Sequence, residues 1–286
     1  VADDYSSMNR ALTNVMGRGP LPDGDTSYEY TLRNGQTVII GNGGNEKMDI
    51  YLLPCPPGTK FGGYTVPYLD GNTGVPTPAF IVINSNAWNL PDPRQLRAVV
   101  AHELMHAIQF AFPKVKSHAE TWRIGEGVAK WSEDFVDSSA DFEHYWQKFA
   151  VYGWLSLYEE TYATWVFYYF LEKTHGADIL RQIYTAMGTR HPYDAIDSVI
   201  TGGFKKQWPL YTVKEWNQLP TEESFLEWDR FPIEPFEAIH VPLKVKPIII
   251  EGKGEYQDIQ TTDLKPLTRK YLAYSIPTGV DVRSFS

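Results

Sequence analysis

The chain of 286 residues contains a single cysteine, Cys55. An internal disulfide is therefore excluded, and so is any zinc site built from thiolates. Cys55 itself reads as a small, partly buried apolar residue. Long apolar runs are missing too. No stretch approaches the roughly 18–20 residues needed to cross a bilayer, so no membrane-spanning segment is expected. Positive charge is in short supply: 26 Lys and Arg stand against 35 Asp and Glu, a net charge of -9 with a pI near 5.3. That balance argues against nucleic acid and anionic membranes as main partners. The sequence shows neither an internal repeat nor a low-complexity tract. What is present, 43% hydrophobic and 21% charged residues, has the proportions of a globular protein of one large domain or two smaller ones. Tyrosine and tryptophan are plentiful, at 18 and 9, and read first as packing residues. The chain opens on Val1-Ala2-Asp3-Asp4, without a start methionine or a signal-peptide pattern. We read it as a processed product, secreted or extracellular, with more protein expected beyond Ser286.

Residues 1–25 read as a short helix and a Gly/Pro-rich connector running from Arg18 to Asp25. Strands are expected at Tyr28–Leu32, Thr37–Ile40 and Asp49–Leu53, with Asn34-Gly35 marking a hairpin between the first two. Residues 54–78 read as a Pro/Gly-rich loop and Ala79–Asn84 as a further strand. Beyond residue 90 the pattern becomes helical. Asp92 supplies an N-cap, Pro93 the first helical position and Gln95 a capping box. Leu96, Val100, Leu104, Ala107 and Ala111 form an apolar stripe, and Pro113 ends the segment. Further helices are expected at about 119–137, 140–151, 160–174, 176–188 and 222–228. Alternation returns in Val241–Ile250, Glu255–Thr261 and Lys270–Ser275. The expected class is α+β, with a β-rich part over 1–90, a helical part over 91–232 and the start of a small β-rich module over 233–286.

The chemistry concentrates in His102-Glu103-Leu104-Met105-His106. Two histidines four apart on a helix lie on one face, about one turn from each other, where both imidazoles can reach a single zinc ion. The glutamate beside them is placed as a general base. A catalytic zinc takes three protein ligands and keeps one position open for water. The metzincin pattern would need a histidine and a glycine where this chain has Phe112 and Gln109, which excludes that class. Glu126 is the stronger candidate for the third ligand, with His118 and Glu120 behind it. It sits in Trp122-Arg-Ile-Gly-Glu-Gly-Val-Ala-Lys-Trp-Ser-Glu133, where Trp122, Glu126, Ala129 and Glu133 share one helical face. A carboxylate on such a stripe must be paired or metal-bound to be buried; an ion-paired helix glutamate is the plain alternative. Calcium is a weaker expectation, from Asp70-Gly-Asn72 and from Asp134, Asp137 and Asp141, since neither follows the twelve-residue loop pattern.

With these residues in place the sequence resembles the gluzincin metallopeptidases, the group that contains thermolysin and the aminopeptidase-N-like enzymes. Their pattern is H-E-x-x-H followed by roughly twenty residues and a glutamate on the next helix; here nineteen residues separate His106 from Glu126. Glu126-Gly127-x-Ala129-x-Trp131-x-Glu133 looks like the corresponding run of the aminopeptidase branch. Thermolysin has an aspartate four residues after its ligand glutamate, a position held here by Lys130. The likeness covers about residues 80–175. It implies a zincin-like catalytic domain, a zinc ion on His102, His106 and Glu126, Glu103 as base, and Glu133 orienting a ligand histidine. Asn86-Ala87-Trp88 looks like the segment with which thermolysin-like enzymes hold substrate backbone. Tyr162 is similar to the tyrosine with which aminopeptidase-like enzymes stabilise an oxyanion, although the glycine that follows it there is missing; Tyr158, His175 and His191 stand behind it. The Gly-x-Met-Glu-Asn segment that grips a free amino terminus in the aminopeptidases is also missing. The expected activity is therefore a zinc endopeptidase acting on peptide or protein substrates. The rival is a catalytically degenerate peptidase-like module serving in binding or at the cell surface.

Overall fold

The computed structural model describes residues 2–24, 28–31, 37–40, 45, 47–54, 62–69, 74–84, 93–115, 118–139, 156–216, 248–249, 267 and 274–275. Helix α1 (Ala2–Met16) extends the short helix expected at the amino terminus. It buries Met8, Leu12 and Met16, spaced four apart on one face. Just beyond it, Arg18 donates to the Ala111 carbonyl at 2.7 Å and lies 4.6 Å over the Phe112 ring. The amino-terminal segment is thereby tied to the end of the histidine-bearing helix.

Strands β1 (Tyr28–Thr31) and β2 (Thr37–Ile40) pair antiparallel in the register Thr31↔Thr37, as the Asn34-Gly35 signal implied; those two residues lie outside the described ones. A second sheet holds β3 (Ile50–Leu53), β4 (Gly63–Pro67) and β5 (Ala79–Asn84) in the order β3-β5-β4. β5 runs parallel to β3 and antiparallel to β4. Every residue of β5 is buried, which explains its unbroken apolar run. Ala79, Ile81 and Ile83 face the main helical core, while Phe80 and Val82 join Tyr68 in a small cluster on the other side. β4 corrects the reading of residues 54–78 as loop throughout. Gly62-Gly63 and Pro67 hide it, yet a proline at the end of an edge strand costs no interior ladder bond.

The helical part comprises α2 (Pro93–Phe110), α3 (His118–Val136), a 3-10 turn (Tyr162–Thr164), α4 (Trp165–His175), α5 (Asp178–Ala186), α6 (Pro192–Val199) and α7 (Gly203–Trp216). α2 packs on β4 and β5, on α1 and on α3, and α3 in turn packs on the 3-10 turn and α4. α6 and α7 were not expected from the sequence. Their signals are weak but physical: Pro192 occupies the first turn of α6, while Phe204, Trp208 and Tyr211 of α7 recur at helical spacing. All three rings pack on Phe167 of α4, Phe204 stacked, Trp208 tilted and Tyr211 edge-on, with centroids 6.0, 5.7 and 5.3 Å away. Pro209 inside α7 masked that periodicity. β6 (Ile248–Ile249) and β7 (Tyr274–Ser275) pair parallel. The helices expected at 140–151 and 222–228 lie outside the described residues, as does most of 233–286. Helix α1 precedes β1–β5, which are followed by α2–α7, a mixed content of helix and strand compatible with the α+β class. Among the described residues no helix is long and apolar enough to cross a membrane.

Because Leu12 is fully buried against this core, Leu12→Ala should cost about 2–5 kcal/mol in urea or thermal unfolding. A loss well below 1 kcal/mol would mean that α1 is not part of the cooperative unit.

Candidate metal centre

Of the expected stripe on α2, Leu104, Ala107 and Ala111 are buried and Leu96 and Val100 half-buried; the buried face is completed by Ala98, Ala101, Met105 and Ile108, and this fixes the rotation of the helix. His102 and His106, one turn apart, then emerge together on the flank facing α3. Their rings meet edge-on with centroids 4.8 Å apart, and the two Nε2 atoms are separated by 3.1 Å. From α3, Glu126 brings Oε2 within 3.3 Å of His102 Nε2 and 3.5 Å of His106 Nε2. His102 and Glu126 are buried and His106 nearly so. Among the described residues these three form the group of donors able to hold a metal ion, as the sequence pattern had nominated.

Each histidine is held from behind by a group that only accepts at that position. His102 Nδ1–H donates to Glu133 Oε1 at 2.9 Å, so the lone pair of that ring sits on Nε2 once the ring is neutral. Glu133 lies two turns beyond Glu126 on the same face of α3, and its other oxygen receives Lys130 Nζ at 2.7 Å. Lys130 and Glu133 are both 2% exposed, a buried ion pair directly behind His102. His106 Nδ1–H donates to Gln109 Oε1 at 3.0 Å. The Gln109 amide donates to the Gly125 carbonyl at 2.9 Å, which settles which end of the amide faces the histidine. Two independent outer contacts thus aim two Nε2 lone pairs at one point.

The electrostatics follow from the same contacts. Burial lowers the His102 pKa, but the hydrogen-bonded carboxylates of Glu126 and Glu133 more than offset it and raise it from 6.5 to about 9. Burial likewise pushes the Glu126 carboxyl up, and the His102 and His106 imidazoles overcome this to hold it well below the usual carboxylate range. For Tyr162, burial first and the Glu126 carboxylate second raise the phenol well above its ordinary value.

The structure gathers most of the residues that the sequence singled out. Glu103 is buried, and its carboxylate accepts from the Thr65 hydroxyl of β4 at 2.8 Å. Tyr162 opens the 3-10 turn with its ring stacked on His102, centroids 5.8 Å apart at 30°, and its hydroxyl donates to Glu126. Asn86, Ala87 and Trp88 lie outside the described residues. Trp122 lies near the start of the same helix but is 50% exposed, while Glu126, Ala129 and Glu133 are buried. Glu120 pairs with His191 at 2.8 Å away from the centre, and Tyr158 packs edge-on against Tyr193. Of the acidic residues considered for calcium, Asp137 pairs with Arg97 at 3.1 Å, and Asp70, Asn72 and Asp141 lie outside the described residues.

Gln109, Lys130 and Thr65 were missed as parts of the centre. Gln109 follows His106 by three and Lys130 precedes Glu133 by three, spacings that bring side chains together on a helix. Thr65 carried no such local signal.

Two measurements test this geometry. At pH 7 the raised His102 pKa means that a metal ion must displace a proton. Zinc titrated into metal-free protein should therefore release at least one proton, and affinity should fall by roughly tenfold per pH unit below pH 9. Binding without proton release between pH 6.5 and 8 would remove His102 from the ligand set. In the metal-free protein the same group contributes stability that is fully present below 6.5 and lost as pH rises through about 9. Separately, Glu133→Gln should weaken metal affinity about 10–100-fold in a chelator competition, with stoichiometry restored at excess metal. Unchanged affinity would deny Glu133 its orienting role. No family model matches the chain, and neither the curated proteins nor the solved structures yield a match, so these contacts are the ground on which function is argued.

Proposed function

We propose that this protein is a zinc-dependent metallopeptidase of the gluzincin type, acting as an endopeptidase through a zincin-like catalytic domain. The observation that carries the proposal is the triangle of donor atoms. An ion bonded tetrahedrally to nitrogen and oxygen at about 2.0–2.1 Å has ligand atoms about 3.3 Å apart. The three edges here measure 3.1, 3.3 and 3.5 Å. Two imidazoles and one carboxylate, with neither cysteine nor a fourth protein donor among the described residues, are the donor set of catalytic rather than structural zinc.

A zinc ion held there supplies a water whose pKa lies near 7 and a Lewis acid for the scissile carbonyl. The chain's own residues supply the rest. Glu103 takes the proton of the attacking water on its carboxylate and returns it to the leaving amine. Tyr162, whose hydroxyl donates to Glu126 at rest, turns that donor to the carbonyl oxygen as negative charge develops. Glu133 and Gln109 hold the imidazoles in the tautomer that the reaction needs. Burial of His102, Glu103 and Glu126 keeps bulk water from competing.

β4 is an edge among the described strands and packs against α2, which suits an extended peptide lying along it. Its sequence, Gly63-Tyr64-Thr65-Val66-Pro67, offers no carboxylate for a free amino terminus, and this favours internal cleavage.

Metal analysis should find one zinc per chain, and an amino-terminally blocked peptide library should be cleaved until a chelator is added. Glu103→Gln should keep its zinc while kcat/KM falls at least about 100-fold. Undiminished hydrolysis by that variant would refute the mechanism. A zinc-loaded wild type that cleaves nothing would support the binding-module reading instead.

A further inference from the structure

A general base must be held in place as well as ionised. The seat of Glu103 is built by two residues of β4. Alternation along the strand sends Tyr64 and Val66 to one side, where Tyr64 is exposed and Val66 joins the small cluster of Tyr68, Phe80 and Val82. Gly63 and Thr65 face α2. A Cβ on Gly63 would stand 3.0 Å from Glu103 Cγ and 3.0 Å from the Val82 carbonyl oxygen, so the glycine is the space along which the Glu103 side chain lies. Two residues on, Thr65 Oγ1 is 2.8 Å from Glu103 Oε2 and also 2.8 Å from the carbonyl oxygen of Glu103 itself.

We propose that Thr65 is the positioning residue for Glu103, its hydroxyl fixing where the carboxylate can take and return a proton. The proposal rests on Glu103 being the base. The hydroxyl has one proton for two acceptors at equal distance. With the carboxylate ionised, the charge-assisted bond takes that proton, being roughly twice as strong as the neutral one. Once Glu103 has drawn a proton from water, its carboxyl donates to Oγ1 and the hydroxyl turns to the backbone carbonyl. Both short contacts carry a proton once Glu103 is protonated; while it is ionised the single hydroxyl proton serves the carboxylate and the carbonyl contact goes without, so a bond between Thr65 and the carboxyl persists through the cycle. Among the described residues Thr65 is the hydrogen-bond partner of this carboxylate. A base must lie about 2.6–3.2 Å from the proton it abstracts, and a displacement of about 1 Å can reduce rate about 100-fold.

The plain alternative makes Thr65 a strap between β4 and α2, acting through the backbone carbonyl alone. Thr65→Val keeps the shape and removes the hydroxyl; Thr65→Ser keeps the hydroxyl; Thr65→Ala is the second removal should the valine variant misfold. Thr65→Val is expected to retain stoichiometric zinc and KM within about twofold, while kcat falls about 10–100-fold; Thr65→Ser should return to within about threefold of wild type. Crystal structures of the zinc-loaded proteins should show the Glu103 carboxylate in one position in wild type and Thr65→Ser, and displaced or spread over rotamers in Thr65→Val. An unmoved carboxylate, an unchanged kcat, or a kcat that falls only together with zinc content would overturn the proposal. If the wild type cleaves no peptide, the peptidase reading fails, and the crystallographic comparison still decides whether Thr65 positions Glu103.

Discussion

The interface between α2 and α3 must accommodate charge in a largely buried setting, and the elements around it are arranged to that end. Six polar or ionisable side chains meet there, Lys130, Glu133, His102, Glu126, His106 and Gln109, and they form one continuous chain of contacts. An isolated carboxylate or ammonium in such a place would cost several kcal/mol, and pairing offsets that cost only when geometry is good. Lys130 supplies one positive charge and protonated His102 a second in the metal-free protein, against the two carboxylates of Glu126 and Glu133. The set is therefore near neutrality without metal, at the expense of holding a proton that metal must remove. Apolar residues of the same volume would pack this interface at least as well. Their absence is an argument for chemistry at this spot rather than for stability.

How much of this could be read from the amino acids depends on the range of each signal. His102, Glu103 and His106 lie within one helical turn, and Glu126 and Glu133 within two turns of the next helix, so periodicity alone put them on the right faces. Gln109 and Lys130 were as local but bore no pattern that distinguished them from surface polar residues. Trp122 went the other way: periodicity placed it with Glu126, but near the start of α3 its indole is exposed. Thr65 and Gly63 are thirty-eight and forty residues from Glu103, and their role depends on the pairing of β4 with β5, which no local rule specifies. The same limit hid β4 itself, since its partner strand rather than its propensity makes it a strand.

The fold links these distant pieces through α2. Ile81 and Ile83 of the buried strand β5 share a core with its apolar stripe, which sets its distance from the sheet and places Glu103 over Gly63 and Thr65. On its other side, α3 approaches the 3-10 turn so closely that a Cβ on Gly127 would collide with the Thr164 hydroxyl and the Tyr168 ring. Thr164 lies two residues after Tyr162, so the glycine next to Glu126 is what lets the tyrosine reach both that carboxylate and the His102 ring. Two glycines, one on each side of the histidine helix, therefore bring Glu103 and Tyr162, the proposed base and oxyanion donor, to the same centre. Neither glycine is used for its backbone freedom. Each serves by the atom it lacks, and a larger residue at either place would separate groups that the proposed chemistry needs within a few ångströms of one another.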